Sequence, residues 1–303
     1  MGSLAAAVAV ALAGVAIPST AAPPPVRPDD IHVVTVEADA EARMTVPVRI
    51  GDHGTFRFLV DTGSQRTVLA SELAARLALA PGERLRITGI AGSDMVDTAK
   101  VEEIQLGTRA LADLLLPLLH AEHIGADGIV GVDSLQGQRV LIDFERNTMA
   151  VGAARDLGGD SGYDIVVVAR RKAGQLILAD ATVDGVAAQI VIDTGSGTSI
   201  GNRALQRALR QRGRLIQTTL VSVTGQETVA DLGVADKLVV HGMSISNVVI
   251  AFADSPAFAR LGLARRPTLL LGMRELRLFG RVAIDFKARR VLFDAPERLE
   301  AKL

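Results

Sequence analysis

Hydrophobic positions in this chain fall in short segments that alternate with polar residues or end at glycine-containing turns. This pattern is typical of β-strands, because successive side chains of a strand point to opposite faces of its sheet. After the first predicted strands, residues 72–79 are predicted to form a short helix, with Ser71 as its N-cap. The first half is therefore predicted to be mostly β. The first predicted strands are residues 31–36, 44–50 and 55–60.

The same order of elements begins again near residue 163. Residues 176–192 match residues 44–60 without a gap, and a helix capped by Asn202 matches the helix after Ser71. A repeat of this length indicates a duplicated domain rather than a solenoid. The predicted organisation is a lobe of residues 31–152, a Gly/Asp/Ser-rich linker of residues 153–162 and a second lobe of residues 163–295.

The N-terminus has the pattern of a secretory signal peptide. Residues 4–17 form an almost unbroken apolar run, which is too short to span a bilayer as a helix. Small residues follow, so cleavage is expected near Ala21 or Ala22. Residues 1–22 are predicted to be a signal peptide and residues 23–30 a disordered leader of an exported protein, either periplasmic or secreted. No Lys or Arg precedes the run, which leaves an uncleaved anchor or an engineered start as alternatives.

Composition narrows the classes of partner and chemistry. The 303 residues include 33 basic and 34 acidic side chains, for a formal net charge of −1. This balance gives no electrostatic reason to expect nucleic acid or an anionic membrane as a partner. Cysteine is absent, which excludes disulfides, thiolate metal sites and thiol nucleophiles. No stable membrane insertion is expected after signal cleavage.

One tetrapeptide occurs twice, as Asp61-Thr62-Gly63-Ser64 and as Asp193-Thr194-Gly195-Ser196. Three apolar residues precede each aspartate, so each copy is predicted to be a buried strand that ends in a tight turn. A single such turn is as easily structural as functional, because Asp accepts hydrogen bonds from turn amides. Two copies in matching contexts can face each other across a pseudo-twofold axis.

Two carboxylates a few ångströms apart do not both ionise, so the pair holds one proton. The ionised member can take a proton from water, and the protonated member can polarise a carbonyl group. This chemistry needs no metal, no other cofactor and no covalent intermediate. Asp61 and Asp193 are therefore the predicted catalytic residues.

The rest of each tetrapeptide is predicted to support the pair. The glycines allow the turn, the threonines hydrogen-bond across the axis, and the serine hydroxyls donate to the outer carboxylate oxygens. The serine hydroxyls are accordingly expected to shift the working range toward acid. These supporting residues are Thr62, Gly63, Ser64, Thr194, Gly195 and Ser196.

Each lobe also contains a predicted hairpin with a glycine at its tip, suited to close over a peptide and exclude water. The predicted substrate-binding residues of these hairpins are Ile90, Ala91, Gly92, Thr224 and Gly225.

The chain resembles the aspartic proteases of the pepsin/retropepsin kind. The resemblance lies in the two tetrapeptides together with Ile129-Val130-Gly131 and Leu270-Leu271-Gly272, one apolar-apolar-Gly segment for each lobe. It covers residues 31–293, and each half has about the size of one retropepsin subunit. The chain departs from pepsins in having no cysteine and no tyrosine in either hairpin.

The resemblance implies a mostly β, bilobal acid-protease fold of two retropepsin-like lobes, each a closed, barrel-like sheet, about a pseudo-twofold axis. It also implies an aspartic endopeptidase that cuts polypeptides and is a monomer, because the dimer is fused in one chain. A non-catalytic peptide-binding protein on the same fold is one alternative. A structural β-protein whose two turns lie far apart is another.

Other motifs have simpler interpretations. His120 and His123 have metal-like spacing but lack a third ligand, so a surface or packing role is favoured and no metal is predicted. Asp143 and Asp285 are interpreted as hydrogen-bonding groups at strand ends. The basic run of residues 203–214 is interpreted as a solvated helix face.

Overall fold

The computed structural model describes residues 34–35, 43–209 and 215–295. The predicted signal peptide and leader lie outside these residues. Within the described residues, no helix combines the length and the apolar character needed to cross a membrane.

The first lobe is built from short strands joined by turns, as its alternating pattern predicts. Its helices are α1 (Ser71–Arg76), α2 (Ala121–Ile124) and α3 (Val132–Leu135). Its strands are β1 (Val34–Thr35), β2 (Thr45–Ile50), β3 (Thr55–Val60), β4 (Val68–Ala70), β5 (Leu85–Thr88), β6 (Ser93–Val96), β7 (Thr98–Leu106), β8 (Arg109–Leu119), β9 (Gly128–Val130), β10 (Arg139–Asp143) and β11 (Thr148–Gly152).

The second lobe repeats this order. Its helices are α4 (Arg203–Leu209), α5 (Pro256–Arg260) and α6 (Met273–Leu276). Its strands are β12 (Ile165–Val168), β13 (Arg170–Lys172), β14 (Gln175–Val183), β15 (Val186–Ile192), β16 (Ser199–Gly201), β17 (Ile216–Val221), β18 (Glu227–Val240), β19 (Met243–Phe252), β20 (Thr268–Leu271), β21 (Arg281–Asp285) and β22 (Arg290–Asp294).

Each lobe closes a ring of six strands. In the first lobe the barrel order is β2-β3-β9-β4-β8-β7. In the second lobe β14, β15, β20, β16, β19 and β18 pair in the corresponding order, and the β14–β18 pairing closes the ring. The mostly β fold of two duplicated lobes is thus confirmed.

A six-stranded sheet joins the lobes, in the order β1-β11-β10-β21-β22-β12. Its centre is the antiparallel pair of β10 and β21, which places Arg139 opposite Asp285 and Leu141 opposite Ala283. Arg139 is fully buried, and its Nη2 lies 2.9 Å from Oδ2 of Asp285. A cluster of buried apolar side chains also runs through both lobes, so the two halves share one core.

The two hairpins are built differently. In the first lobe β5 and β6 form a separate two-stranded sheet. The strand conformation is interrupted at Asp97, between β6 and the barrel strand β7. In the second lobe β17 pairs with the first part of β18, a strand of 14 residues that continues into the barrel. The second hairpin is therefore an extension of the barrel wall.

The predicted caps have different outcomes. Asn202 caps α4, because its Oδ1 accepts a hydrogen bond from the N–H of Leu205 at 2.8 Å. The prediction for Ser71 is wrong, since Ser71 is the first residue of α1 and makes no capping bond. Its hydroxyl instead donates to the Leu119 carbonyl. The helix also ends at Arg76, earlier than predicted.

Candidate active site

Each aspartate lies at the end of a buried strand that runs parallel to an apolar neighbour. β3 pairs with β9 and β15 pairs with β20. The N–H of Asp61 donates to the Val130 carbonyl at 3.0 Å, and the N–H of Asp193 donates to the Leu271 carbonyl at 3.0 Å. These equivalent bonds hold both turns in the same orientation on their barrels.

The turn amides point at the carboxylates. Oδ1 of Asp61 accepts the N–H groups of Gly63 at 2.8 Å and Ser64 at 2.9 Å. In the second lobe Oδ1 of Asp193 accepts the N–H of Gly195 at 3.1 Å. Such bonds orient each carboxyl and favour its ionised form.

The two threonines join the turns across the axis. Oγ1 of Thr62 donates to the Ile192 carbonyl at 2.7 Å, and Oγ1 of Thr194 donates to the Val60 carbonyl at 2.6 Å. Each threonine oxygen also accepts the N–H of the other threonine, at 3.2 and 3.1 Å. Because all these groups are buried, water cannot hydrogen-bond to them, and each of these bonds satisfies a group that would otherwise have no partner.

The two carboxyl groups face each other at close range. A Cβ atom on Gly63 would lie 2.7 Å from Oδ1 of Asp193, and one on Gly195 would lie 2.5 Å from Oδ1 of Asp61. Each glycine therefore supports the aspartate of the opposite lobe, and only glycine fits there. The two carboxyl groups therefore lie close enough for each to affect the ionisation of the other.

Burial and mutual repulsion disfavour a doubly ionised pair. Burial, followed by the charge of Asp61, raises the pKa of Asp193 to about 8. Burial also raises the pKa of Asp61, although the N–H groups of its turn and the cation of Arg43 oppose this rise. Asp193 therefore keeps its proton at neutral pH, and ionisation of both carboxyl groups together is disfavoured.

Comparison with protein families agrees with this geometry. Residues 46–137 match the gag-polyprotein aspartyl protease family, and residues 179–274 match a second aspartyl protease family. The chain is a tandem of two aspartyl protease domains. The predicted resemblance to retropepsin-like proteases is thus confirmed. A search of curated proteins finds no match to the chain.

The apolar-apolar-Gly segments of both aspartyl protease domains support the turns. The N–H of Val132 donates to the Ser64 carbonyl, and the N–H of Met273 donates to the Ser196 carbonyl, each at 2.9 Å. A Cβ on the preceding glycine, Gly131 in the first domain, would overlap the backbone that follows the turn. The close approach therefore requires glycine at this position.

Two hydroxyl residues beneath the turns were not identified from the sequence pattern. Oγ1 of Thr67 accepts the N–H of Gly131 at 3.1 Å, and Oγ of Ser199 accepts the N–H of Gly272 at 3.0 Å. Both lie six residues after their aspartate. Their matching positions in the two protease domains were the signal that could have identified them.

The expectation for the serine hydroxyls is wrong. Oγ of Ser64 donates to the Arg66 carbonyl at 2.9 Å, and Oγ of Ser196 donates to the Thr198 carbonyl at 2.7 Å. A hydroxyl has only one proton to donate, so it is not available to the carboxylate. In the first turn the serine contributes its backbone N–H to the aspartate instead.

The hairpin tips of the two domains meet. A Cβ on Gly89 would overlap Oγ of Ser222, and one on Gly92 would overlap Oε1 of Gln226. Four of the five predicted hairpin residues form or adjoin these tips: Ala91, Gly92, Thr224 and Gly225. The fifth, Ile90, packs against a buried cluster of the second domain.

The histidines of the candidate metal motif have separate surroundings. Nδ1 of His120 lies 3.2 Å from the Glu72 carboxylate. His123 lies against Gly225 at the tip of the second hairpin, and its Nδ1 is buried without a hydrogen-bond partner in the described structure. Within residues 34–35, 43–209 and 215–295, no cluster of three or more acidic or histidine ligands forms a metal site.

The remaining motif residues stabilise the scaffold. Asp143 accepts the N–H of Arg146 at 2.8 Å, and Asp285 accepts the N–H of Ala288 at 2.7 Å. At the start of the basic run, Arg203 forms an ion pair with Asp231 of β18. This arginine therefore ties α4 to the barrel.

Proposed function

We propose that the protein is an aspartic endopeptidase in which Asp61 and Asp193 activate water for peptide-bond hydrolysis. The observation that carries this proposal is the reciprocal contact between each turn glycine and the opposite carboxyl group. That contact brings the two carboxyl groups close together, which is the arrangement in which one proton can serve both. The match of each half to an aspartyl protease family supports the same function.

The proposed reaction uses the pair as base and acid together. The ionised carboxylate takes a proton from a water molecule while the water oxygen bonds to the scissile carbonyl carbon. The protonated carboxyl gives its proton to the carbonyl oxygen, which produces a neutral geminal diol. The C–N bond then breaks as the nitrogen takes the proton from the first carboxyl. One diol hydroxyl returns a proton to the second carboxyl, which restores the starting state.

The proposed substrate is an extended polypeptide that lies between the carboxyl pair and the two hairpins. Contact between the hairpin tips supports this role, because a closed cover excludes water from the reacting groups. We also propose that the protein is exported and works as a monomer. The apolar run of residues 4–17 and the fused lobes support these two points.

The proposal is tested by peptide turnover in aspartate variants. The chain from residue 23 onward is incubated with a peptide library across pH, and cleavage is followed by mass spectrometry. Asp61→Asn and Asp193→Asn are each expected to lower kcat by at least about 1000-fold, because each removes a proton-transfer group. Circular dichroism checks that both variants fold.

The matched control is Asp52→Asn, since Asp52 is exposed in the turn at the far end of β3. It should retain wild-type turnover. Full activity in a folded Asp61→Asn or Asp193→Asn variant would overturn the mechanism. Peptide binding by the wild-type protein without any cleavage would instead favour the non-catalytic alternative.

A further inference from the structure

One position in each lobe lies directly opposite the aspartate across a β-hairpin. In the first lobe Thr45 pairs with Leu59, and the N–H of Val60 donates to the Met44 carbonyl at 3.2 Å. The register therefore sets Arg43 opposite Asp61. Directly opposed residues of an antiparallel pair carry their side chains on the same face.

The corresponding position in the second lobe is Gln175. Ile177 pairs with Val191, so the same register sets Gln175 opposite Asp193. Arg43 is 9% exposed and Gln175 is 5% exposed. Two equivalent, buried positions thus place a cation beside one aspartate and a neutral amide beside the other.

The glutamine has a structural contact that adds no charge. Its Nε2 donates to the carbonyl of Gly63 in the opposite turn. Its Oε1 is buried and has no hydrogen-bond partner in the described structure. Gln175 therefore stabilises the first turn and adds no charge beside the carboxyl pair.

The charged groups that act on Asp61 come from two sides. Arg43 precedes β2, and Asp193 approaches from the opposite turn. Helix α3, which lies beneath the first turn, carries Asp133, but its carboxylate is bound by the N–H and Oγ1 of Thr67 at 2.9 and 2.7 Å. Arg43 is thus the cation that acts on the first aspartate.

In the part of the chain that the structure describes, no cation is among the main groups that shift the pKa of Asp193. Helix α6, beneath the second turn, carries Glu275, whose Oε2 accepts the hydroxyl of Ser199 at 2.5 Å. Arg274 of the same helix acts on Glu275. His123 contacts Gly225 at the tip of the second hairpin. Both helices bring an acid beneath their turn, so these acids do not distinguish the two aspartates.

We infer that Arg43 biases the shared proton toward Asp193, so that Asp61 is the base and Asp193 the acid, an assignment that rests on the proposed function. A buried cation stabilises the ionised form of the carboxylate it faces. Asp61 then takes the proton from water, and Asp193 protonates the carbonyl oxygen. Arg43 is a positioning residue in this scheme, because it acts through Asp61.

The pH dependence of kcat/KM tests this inference. The acidic limb reports protonation of the base in the free enzyme. Arg43→Gln makes the two halves alike at this position and should raise the lower apparent pKa by about 1 unit. Arg43→Lys keeps the charge and should restore the wild-type limb. Arg49→Gln, which removes an exposed arginine of the same hairpin, should leave the profile unchanged.

A second measurement does not depend on turnover. The carboxyl groups are followed by NMR in protein with carbon-13-labelled aspartate, with signals assigned from Asp61→Asn and Asp193→Asn. Asp61 is expected to ionise first in the wild-type protein and to lose this lead in Arg43→Gln. If Arg43→Gln does not fold, Gln175→Arg provides the complementary change, and it should lower the higher apparent pKa of the pair.

The outcomes separate this inference from the proposed function. Ionisation of Asp193 before Asp61 would overturn the assignment, as would an unchanged lower apparent pKa in folded Arg43→Gln. A wild-type protein that cleaves no peptide would overturn the proposed function. The NMR titration would still show in that case whether Arg43 sets the charge of the pair.

Discussion

The two Asp-Thr-Gly-Ser turns have equivalent backbone hydrogen bonds but different surroundings. Both aspartates accept turn amides, and both threonines bond across the axis. Asp193 is nevertheless buried, whereas Asp61 is half-buried and faces the cation of Arg43. The duplicated backbone sets the geometry of the pair, and residues outside the tetrapeptides make its two members unequal.

The turn glycines provide the most severe test of this comparison. A Cβ would press on the opposite carboxyl in both turns, and more closely at Gly195 than at Gly63. Peptide turnover is expected to fall by at least about 100-fold in Gly63→Ala and further in Gly195→Ala, since a small displacement of catalytic groups is costly.

Gly152→Ala is the matched control, because the added methyl group would make only ordinary contact, 3.8 Å from Leu157. It should keep wild-type activity. Equal, near-wild-type turnover in both turn variants would mean that the glycines do not hold the carboxyls together.

The threonines test whether the halves depend on each other for stability. Thr62→Val and Thr194→Val keep the side-chain shape but leave a buried carbonyl and a buried N–H without partners. Each unsatisfied group costs about 1–3 kcal/mol. Each variant is therefore expected to lower the free energy of unfolding by about 2–6 kcal/mol in urea titrations.

Thr62→Ser and Thr194→Ser retain the hydroxyl and should lose much less stability. Because the threonines also bond to each other, the double valine variant should lose less than the sum of the two losses. Strict additivity would show that the two sides act independently.

The raised pKa of Asp193 should make the stability of the protein depend on pH. The pKa of Asp193 rises from 3.8 to about 8 on folding, so the native state retains a proton that the unfolded state releases. Stability is then complete below about pH 4 and declines as pH rises toward 8. Asp193→Asn removes this decline, because the amide resembles the protonated carboxyl.

We expect Asp193→Asn to match the wild-type Tm at pH 4 and to exceed it by several degrees at pH 8. Differential scanning calorimetry across this range makes the measurement. A Tm difference that stays constant with pH would contradict the raised pKa of Asp193.

The serines should have the smallest effect. Their hydroxyls bond to the Arg66 and Thr198 carbonyls, so Ser64→Ala with Ser196→Ala loosens the turns without removing a carboxylate donor. We expect a loss of about 0.5–1.5 kcal/mol for each bond. The lower apparent pKa of the rate profile should stay in place, and a clear rise would restore a direct role for the hydroxyls.

The sequence predicted those features that depend on local pattern. Strand periodicity, the repeat and the two tetrapeptides were sufficient for the fold and for the pairing of Asp61 with Asp193. The direction of the Ser64 hydroxyl was not predictable in the same way, because it depends on which acceptor lies nearest once the turn has formed. Ser71 was misassigned because β4 continues to Ala70, which is itself the N-cap of α1 and has no side-chain oxygen to accept a hydrogen bond.

Long-range contacts could not be predicted from the local sequence pattern either. Arg43 and Gln175 become opposites of the aspartates only through the register of two β-hairpins. The contact between His123 and Gly225 needs both lobes in place. Such positions carry no local signature, so a motif search passes over them.

The central strands of the sheet that joins the lobes also bear on the origin of the chain. β10 and β21 carry Arg and Asp at matching ends, and their antiparallel register pairs each strand with its own counterpart. An interface of this kind is isologous, which means that identical subunits could form it. Residues 153–162 connect β11 of the first lobe to β12 of the second, and a covalent connection keeps two such lobes at high effective concentration. One gene can in this way vary the two halves separately, which a homodimer cannot do.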